Sequence, residues 1–299
     1  MEIYWRTNIS NLDDGFGVYN RLAGTFFSMD KVENIQGSII QHGHHNDRIY
    51  LMHLHGTDNE TLLAKLDRLA TEHGYGKIFA KIPATCWHAF KSSGYLKEAL
   101  IPGFFDGETD GLFIAKFFSA DRQQPQNRTG FCPPEGISTS AKQNDIPTMA
   151  IDACTSEDAA AMASIYRQAF ESYAFPIHQT EYIQQMMRKD VVYFCVQIEK
   201  KIAALAAAEI DFANRVCEMT DFATLPEYRG IGLAQRLLDR LDDEARIRGI
   251  KTAYTIARAD SHGMNRVFLT RGYRFAGRLN KNTQIGGRIR SMTVWYKRL

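Results

Sequence analysis

A glycine-rich turn between a strand and a long helix constrains this 299-residue chain more than any other feature. The segment "EYRGIGLA" follows a stretch, 215–224, that predicts a strand. It precedes a stretch with apolar residues at helical spacing. Glycine permits close backbone approach, and the free N–H groups of a first helical turn bind anions. The turn therefore predicts an α/β fold with a pyrophosphate site at a helix start. It matches neither a P-loop nor a dinucleotide-binding turn.

The C-terminal half reads as a mixed α/β sheet with crossover helices. A helix is predicted after Thr155 and Asp158, which have capping-box spacing, and a second helix buries Leu237 and Leu241. Strands are predicted at 148–154, 191–197, 202–210, 215–224 and 252–258, with two more, "RFAGRL" and "RSMTVWYK", closing the chain.

The N-terminal half contains a fainter copy of that ending. It has a predicted strand at 47–54, a helix at 59–75 and a strand at 77–83, followed by a short helix and two strands. Both halves also carry a phenylalanine, Phe90 or Phe268, four residues before a Gly-Tyr pair. We interpret the two halves as an ancient duplication. The N-terminal copy lacks the glycine-rich turn, so one anion site per chain is expected.

A stretch without periodicity separates the halves. Residues 121–147 are rich in Pro, Gly, Ser, Gln and Asn, which is typical of a linker. We therefore predict an N-terminal domain at 1–120 and a catalytic domain at 148–299.

Composition excludes several classes of function. The 36 basic and 34 acidic residues give a net charge of +2, which does not favour nucleic-acid or membrane binding. No apolar run approaches the ~20 residues of a membrane-spanning helix, and the N-terminus lacks the layout of a signal peptide. Five scattered cysteines are typical of reduced thiols, so a cytoplasmic location is expected.

The turn resembles the Arg/Gln-x-x-Gly-x-Gly/Ala signature of the GNAT superfamily of N-acetyltransferases. Arg229, Gly232 and Ala234 match its defined positions. The resemblance implies a GNAT fold and acetyl-CoA as co-substrate, and the inferred duplication then makes the N-terminal half a degenerate GNAT-like domain. It implies two groups of cofactor-binding residues: Arg229, Gly230, Ile231, Gly232, Leu233 and Ala234 around the pyrophosphate, and Phe222, Ala223 and Thr224 along the pantetheine.

Acetylation of an amine requires a base, because only about 0.1% of an aliphatic amine is deprotonated near neutral pH. Glu218 is the candidate, since strand alternation places it on one face with Thr220 and Phe222 and leaves Asp221 on the other. A Glu218 that is merely paired or solvent-facing remains an alternative. Where many GNAT enzymes carry a tyrosine acid this chain has Phe268, so the general acid is not identified.

Longer stretches resemble one GNAT family, the beta-lysine N-acetyltransferases. They include "QHGHHNDRIYLMHL", "YAFPIH" and "TDFATLPEYRGIGLA". The resemblance implies direct attack of the side-chain terminal amine of beta-lysine on the acetyl-CoA thioester. The product would be N-acetyl-beta-lysine, a compatible solute, and a lysine aminomutase would be the functional partner. The oligomeric state is not predicted.

The acceptor pocket is expected in the segment "ESYAFPIHQTEY" after the first helix of the C-terminal half. Tyr173, Phe175, His178 and Tyr182 are its candidate lining residues, although these side chains could instead pack under the helix.

Three alternatives stay open. The acceptor could be another diamine or a protein lysine, or the chain could be a non-catalytic acyl-CoA-binding sensor. The cluster from His42 to His55 could hold a metal, but it lacks a carboxylate or cysteine at a familiar ligand spacing. We therefore predict no metal there.

Overall fold

The computed structural model describes residues 19–22, 25–28, 30–56, 59–124 and 149–299. Its N-terminal half opens with a separate β1–β2 hairpin and continues into a sheet with helices on one face. The elements are β1 Tyr19–Leu22, β2 Thr25–Ser28, β3 Lys31–Ile35, β4 Ser38–Gly43, β5 Arg48–His53, α1 Asn59–His73, β6 Lys77–Pro83, α2 Trp87–Ser92, β7 Leu96–Phe105, β8 Thr109–Phe117 and α3 Ala120–Gln123.

The C-terminal half follows the predicted order. The elements are β9 Ile151–Ala153, α4 Ala159–Ala169, α5 Thr180–Met187, β10 Val191–Ile198, β11 Lys201–Asp211, β12 Val216–Thr224, α6 Leu233–Ile247, β13 Thr252–Arg258, α7 His262–Thr270, β14 Arg274–Ile285 and β15 Arg288–Arg298. Helix α5 was not predicted. Helix α4 begins at Ala159, later than its capping spacing suggested, and the capping-box bond from the Thr155 N–H to the Asp158 carboxylate (2.7 Å) forms in the turn before it.

The two halves share one continuous sheet. Thirteen strands lie in the order β3-β4-β5-β6-β8-β7-β14-β15-β13-β12-β11-β10-β9, and the halves meet where Ala99 of β7 pairs with Gly277 of β14. Within this sheet, β5–β6 and β12–β13 are the parallel pairs, and the other neighbours are antiparallel. The predicted mixed, mostly antiparallel α/β sheet flanked by helices is confirmed.

Matching helix ends support the proposed duplication. Helices α1 and α6 both have 15 residues and are followed by a left-handed glycine, Gly74 (φ 67°) or Gly249 (φ 73°). The next residue, Tyr75 or Ile250, donates its N–H to the carbonyl five residues earlier, at 2.9 and 3.0 Å. This is the hydrogen-bond pattern of a glycine helix stop. The domain boundaries stay a prediction: the proposed linker begins inside α3, and residues 125–148 lie outside the described residues.

Apolar faces hold the layers together. Helix α6 buries Leu237, Leu241 and Ala245 against one face of the C-terminal sheet, as its spacing predicted, while α4 and α5 cover the other face. Helices α1 and α2 cover the N-terminal sheet. A further apolar cluster, with Phe79 and Tyr254 among its members, lies between the two halves and fixes how one faces the other.

Candidate functional site

The glycine-rich turn presents free backbone donors. After β12, a short 3₁₀ turn at Pro226–Tyr228 leads to Gly230 (φ 84°) and Gly232 (φ 86°), both in the left-handed region that favours glycine. Gly232 is the N-cap residue of α6, it provides no capping side chain, and no acidic residue occupies the first turn of this helix. The N–H groups there, at the positive end of the helix dipole, are therefore available to an anion.

An open strand edge lies beside this turn. Strands β12 and β13 pair only at 216–218 and 252–254, although β12 continues to Thr224 and β13 to Arg258. On its other side, β12 pairs with β11 through Ala223 and Thr224. The gap between the diverging strands fits an extended ligand that hydrogen-bonds to a strand edge, with an anionic end on the turn. Pantetheine and pyrophosphate have this chemistry.

A β-bulge at Asp221 overturns the predicted strand alternation. Asp221 has φ 54°, and the register of β12 against β11 shifts there, so two residues oppose one. Phe222 consequently packs on Phe268 (ring centroids 5.7 Å apart) in the core under α6, and not on the face of Glu218. Asp221, expected on the opposite face, instead joins the side of Glu218, where it accepts the Tyr173 hydroxyl at 2.8 Å.

Three carboxylates gather where the strands diverge. Glu209 lies directly across from Glu218 on the neighbouring strand. Burial in the surrounding protein, with the Glu218 and Asp221 charges, raises the pKa of Glu209 to about 8. Burial, aided by Glu218, raises the pKa of Asp221 to about 6, although hydrogen bonds from Tyr173 and Thr220 oppose the shift. Glu209 is nevertheless exposed, so these carboxylates line an opening in the molecule and not a closed core.

The N-terminal half contributes to the same place. Lys81 on β6 donates from Nζ to the Tyr254 hydroxyl at 3.0 Å, and Tyr254 donates to Glu218 Oε2 at 2.7 Å. Lys81 Nζ also lies 5.5 Å from the ring centroid of Tyr50. Sequence reasoning missed Lys81, Tyr50, Tyr254 and Glu209. The available signal was a lysine inside the apolar strand "KIFAKIP", but its partners could not be read from the sequence.

The predicted acceptor residues divide into two groups. Tyr173 bonds to Asp221, and the Glu209 and Asp221 carboxylates add to burial in raising the pKa of Tyr182 well above its usual value. These two tyrosines therefore lie near the carboxylates. Phe175 packs with the core under α4, and His178 is held through its backbone carbonyl, which accepts a bond from Arg167.

Two aromatic residues near the position of the missing general acid, Phe268 and Tyr273, are parts of the scaffold. Phe268 is buried against Phe222, and the Tyr273 hydroxyl donates to Asp242 Oδ1 at 2.7 Å inside the core. Both side chains therefore belong to the core.

In the histidine cluster, the His42 side chain is held by ordinary hydrogen bonds. Buried His42 bonds through Nδ1 to the Tyr75 hydroxyl (3.1 Å) and through Nε2 to Glu33 (3.0 Å). In the described ranges, no three His, Cys, Asp or Glu residues come together in a way that could hold a metal ion. Across those same ranges, no helix has both the length and the apolar character to cross a membrane.

Comparison with known proteins shows which family the region around this site resembles. Residues 159–273 match the model of the Acetyltransferase (GNAT) family. The chain is 33% identical to the beta-lysine N(6)-acetyltransferase of Methanococcus maripaludis, over 90% of this chain and 99% of that protein. It is 42% identical to the beta-lysine N(6)-acetyltransferase of Methanosarcina mazei, over 48% of this chain and 52% of that protein.

Two further similarities complete the comparison. The chain is 28% identical to the N-acetyltransferase YodP of Bacillus subtilis, over 88% of this chain and 96% of that protein. Among solved structures, the ribosomal-protein-alanine N-acetyltransferase of Brucella melitensis superposes with a TM-score of 0.44 at 18% identity, covering 50% of this chain and all of that one.

Proposed function

Since this chain belongs to the GNAT family of acetyltransferases, we propose that it transfers an acetyl group to the side-chain terminal amine of beta-lysine. The chain is an acetyl-CoA-dependent N-acetyltransferase, and the proposal concerns its acceptor. The observation that carries the proposal is the group of three carboxylates, Glu209, Glu218 and Asp221, at the point where β12 and β13 diverge. Such a group favours an acceptor with more than one ammonium.

Acetyl-CoA supplies the acetyl group as a thioester, which the deprotonated amine attacks directly. The backbone from Arg229 to Ala234 would hold the pyrophosphate, because its glycines open the turn and α6 leaves its first N–H groups free. The strand edge at 222–224 would bind the pantetheine amides. The N-terminal half has no equivalent glycine-rich turn, so we expect one acetyl-CoA per chain.

Glu218 is the proposed base. Its Oε2 already accepts a hydrogen bond from Tyr254, which holds the carboxylate in one orientation, and it remains partly accessible. In this role it takes the proton that the amine loses, directly or through water. No side chain is assigned to protonate the departing thiolate, because Phe268 and Tyr273 belong to the core.

The names of the relatives support beta-lysine as the acceptor, since both named proteins are beta-lysine N(6)-acetyltransferases. Under this proposal the product is N-acetyl-beta-lysine, a compatible solute, made in the cytoplasm. Its acceptor would come from an aminomutase that converts lysine to beta-lysine. No nucleic acid or membrane takes part.

The decisive experiment offers acetyl-CoA with beta-lysine, lysine, ornithine, spermidine and a histone-like peptide, and identifies products by mass spectrometry. We expect beta-lysine to be the best acceptor and to be acetylated on its terminal amine. Preference for the peptide would favour a protein acetyltransferase. If no amine in excess produced coenzyme A above the background rate, a non-catalytic acyl-CoA-binding sensor would be favoured instead.

A further inference from the structure

Lys81 is a cation whose direct partners are neutral. Its Nζ donates to the Tyr254 hydroxyl (3.0 Å), and it lies 5.4 Å from the ring centroid of Tyr254 and 5.5 Å from that of Tyr50. Among the ion pairs formed by the described residues, none includes Lys81. By contrast Lys77, on the same strand, has a direct carboxylate partner in Glu98 at 2.7 Å. Burial opposes the charge on Lys81, but Tyr50 and the Glu218 and Glu209 carboxylates raise its pKa, so the ammonium stays charged. Because no carboxylate of the described residues contacts it directly, it is available to an anion from outside.

The position of Lys81 indicates that this anion is a group of the acceptor. Two hydrogen bonds in series, through Tyr254, separate its Nζ from the proposed base Glu218. Lys81 is also partly accessible, as a residue that contacts a ligand must be. The opening therefore has carboxylates on the C-terminal side and an ammonium on the N-terminal side. This arrangement matches the two ammonium groups and one carboxylate of a diamino acid.

Resting on the proposed function, we infer that Lys81, assisted by the Tyr50 hydroxyl, binds the carboxylate of the acceptor. The N-terminal half then forms part of the active site, and it selects amino-acid acceptors over plain diamines. An ammonium–carboxylate contact of this kind is charge-assisted, and its loss reduces affinity about 10- to 100-fold.

A competing role is that Lys81 acts only through Tyr254, by orienting Glu218. The two roles make different predictions for acceptors with and without a carboxylate. An orienting residue affects every acceptor, whereas a carboxylate-binding residue affects only those that carry the group.

The test compares Lys81→Met with wild type on beta-lysine and on 1,4-diaminopentane, which is beta-lysine without its carboxylate. Methionine retains most of the side-chain volume, so the packing against Tyr50 and Tyr254 is preserved. We expect kcat/KM for beta-lysine to fall about 10- to 100-fold, mainly through KM, and that for 1,4-diaminopentane to change less than about 3-fold. The matched control is Lys97→Met, an exposed lysine over Trp87 outside the site.

A binding measurement separates this inference from the proposed function. The ligand is 3-aminohexanoate, which keeps the amino and carboxylate groups of beta-lysine but has no terminal amine to acetylate. Calorimetric titration should detect binding to wild type and to Lys97→Met, and a loss of about 10-fold or more with Lys81→Met.

Each outcome decides one of the two proposals. Equal losses of activity on both acceptors, or equal binding of 3-aminohexanoate by wild type and Lys81→Met, would overturn the role of Lys81 in carboxylate binding. If wild type did not acetylate beta-lysine but bound 3-aminohexanoate through Lys81, the proposed acceptor would be wrong and the carboxylate site would stand.

Discussion

The two halves place different side chains on the same framework. In each half, a central strand has an antiparallel neighbour on one side and a parallel neighbour on the other. One residue from each of these three strands lies beside the next. They are Gln41, Tyr50 and Phe79 in the N-terminal half, and Glu209, Glu218 and Tyr254 in the C-terminal half. The N-terminal set has no acid, whereas the C-terminal set contains the proposed base. Sharing a framework therefore does not mean sharing chemistry.

The central strands differ in a second way. In the C-terminal half, β12 extends past its pairing with β13, bulges at Asp221 and leads into the glycine-rich turn. In the N-terminal half, β5 ends at His53, only two residues after its last pairing with β6. The C-terminal half thus leaves a gap between two strands for a ligand, and the N-terminal half places side chains beside that gap. The following predictions test this division, from the largest expected effect to the smallest.

Glu218→Gln should greatly slow acetyl transfer at the site in the C-terminal half. Loss of a general base lowers kcat by about 10²- to 10⁴-fold, while acetyl-CoA binding at the turn should be unchanged. Steady-state kinetics and calorimetric titration of acetyl-CoA measure the two effects. Glu199→Gln, in an exposed hairpin turn, is the matched control and should retain full activity. Retention of activity in Glu218→Gln would show that the base lies elsewhere.

Lys77→Met should weaken the contact between the halves. Lys77 is fully buried, and its Nζ bonds to Glu98 (2.7 Å) and to the carbonyl of Asn280 on β14 (2.8 Å). The substitution leaves Glu98 buried without its counter-charge, so the free energy of unfolding should fall by about 3–5 kcal/mol. Urea unfolding measures this change. Lys81→Met, on the same strand, should lose far less stability, and a similar loss in both would contradict the distinction.

Gly230→Ala should weaken acetyl-CoA binding. Gly230 has φ 84° and open space where the alanine methyl would lie, and Gly249, at the other end of α6, has φ 73° and the same open space. Alanine should cost each position about 1–2 kcal/mol of folding stability, because both require a left-handed backbone. Only Gly230→Ala should raise the KM for acetyl-CoA, by about 10-fold where the distorted turn loses about 1.4 kcal/mol of binding free energy. Equal KM values in the two variants would argue against a cofactor role for the turn.

Glu209→Gln gives this strand position the amide of its N-terminal counterpart, Gln41, and should change how stability depends on pH. Burial and the neighbouring carboxylates raise the pKa of Glu209 from 4.5 to about 8. Between these values the folded protein keeps a proton that the unfolded chain has released, so wild-type stability falls as pH rises through this window.

Glutamine does not titrate, so the variant should lose less stability than wild type between pH 5 and pH 8. The effect should be the smallest of the four, because Glu209 is exposed and solvent screens its charge. Urea unfolding at several pH values measures it. Identical pH slopes in wild type and variant would mean that Glu209 has an ordinary pKa.

Much of the fold was readable because its signals are local. The strands at 77–83 and 252–258 agree with their predicted bounds, and α6 buries the predicted leucines. The missed α5, by contrast, is only eight residues long, so its apolar periodicity had little length in which to appear.

The sequence by itself determined the glycine-rich turn, the order of strands and helices, and the acetyltransferase family. The turn and each helix or strand depend on backbone preferences and residue spacing within one segment, and the family was implied by the resemblance of the turn and longer stretches to known sequences. Only the tertiary structure decided that Asp221 shares the side of Glu218 and that Lys81 reaches the same site. The bulge depends on the register between β11 and β12, and the position of Lys81 depends on how the two halves face each other. The bulge needs pairing between two strands, and the Lys81 contact joins residues 173 positions apart, so no pattern within one segment encodes either.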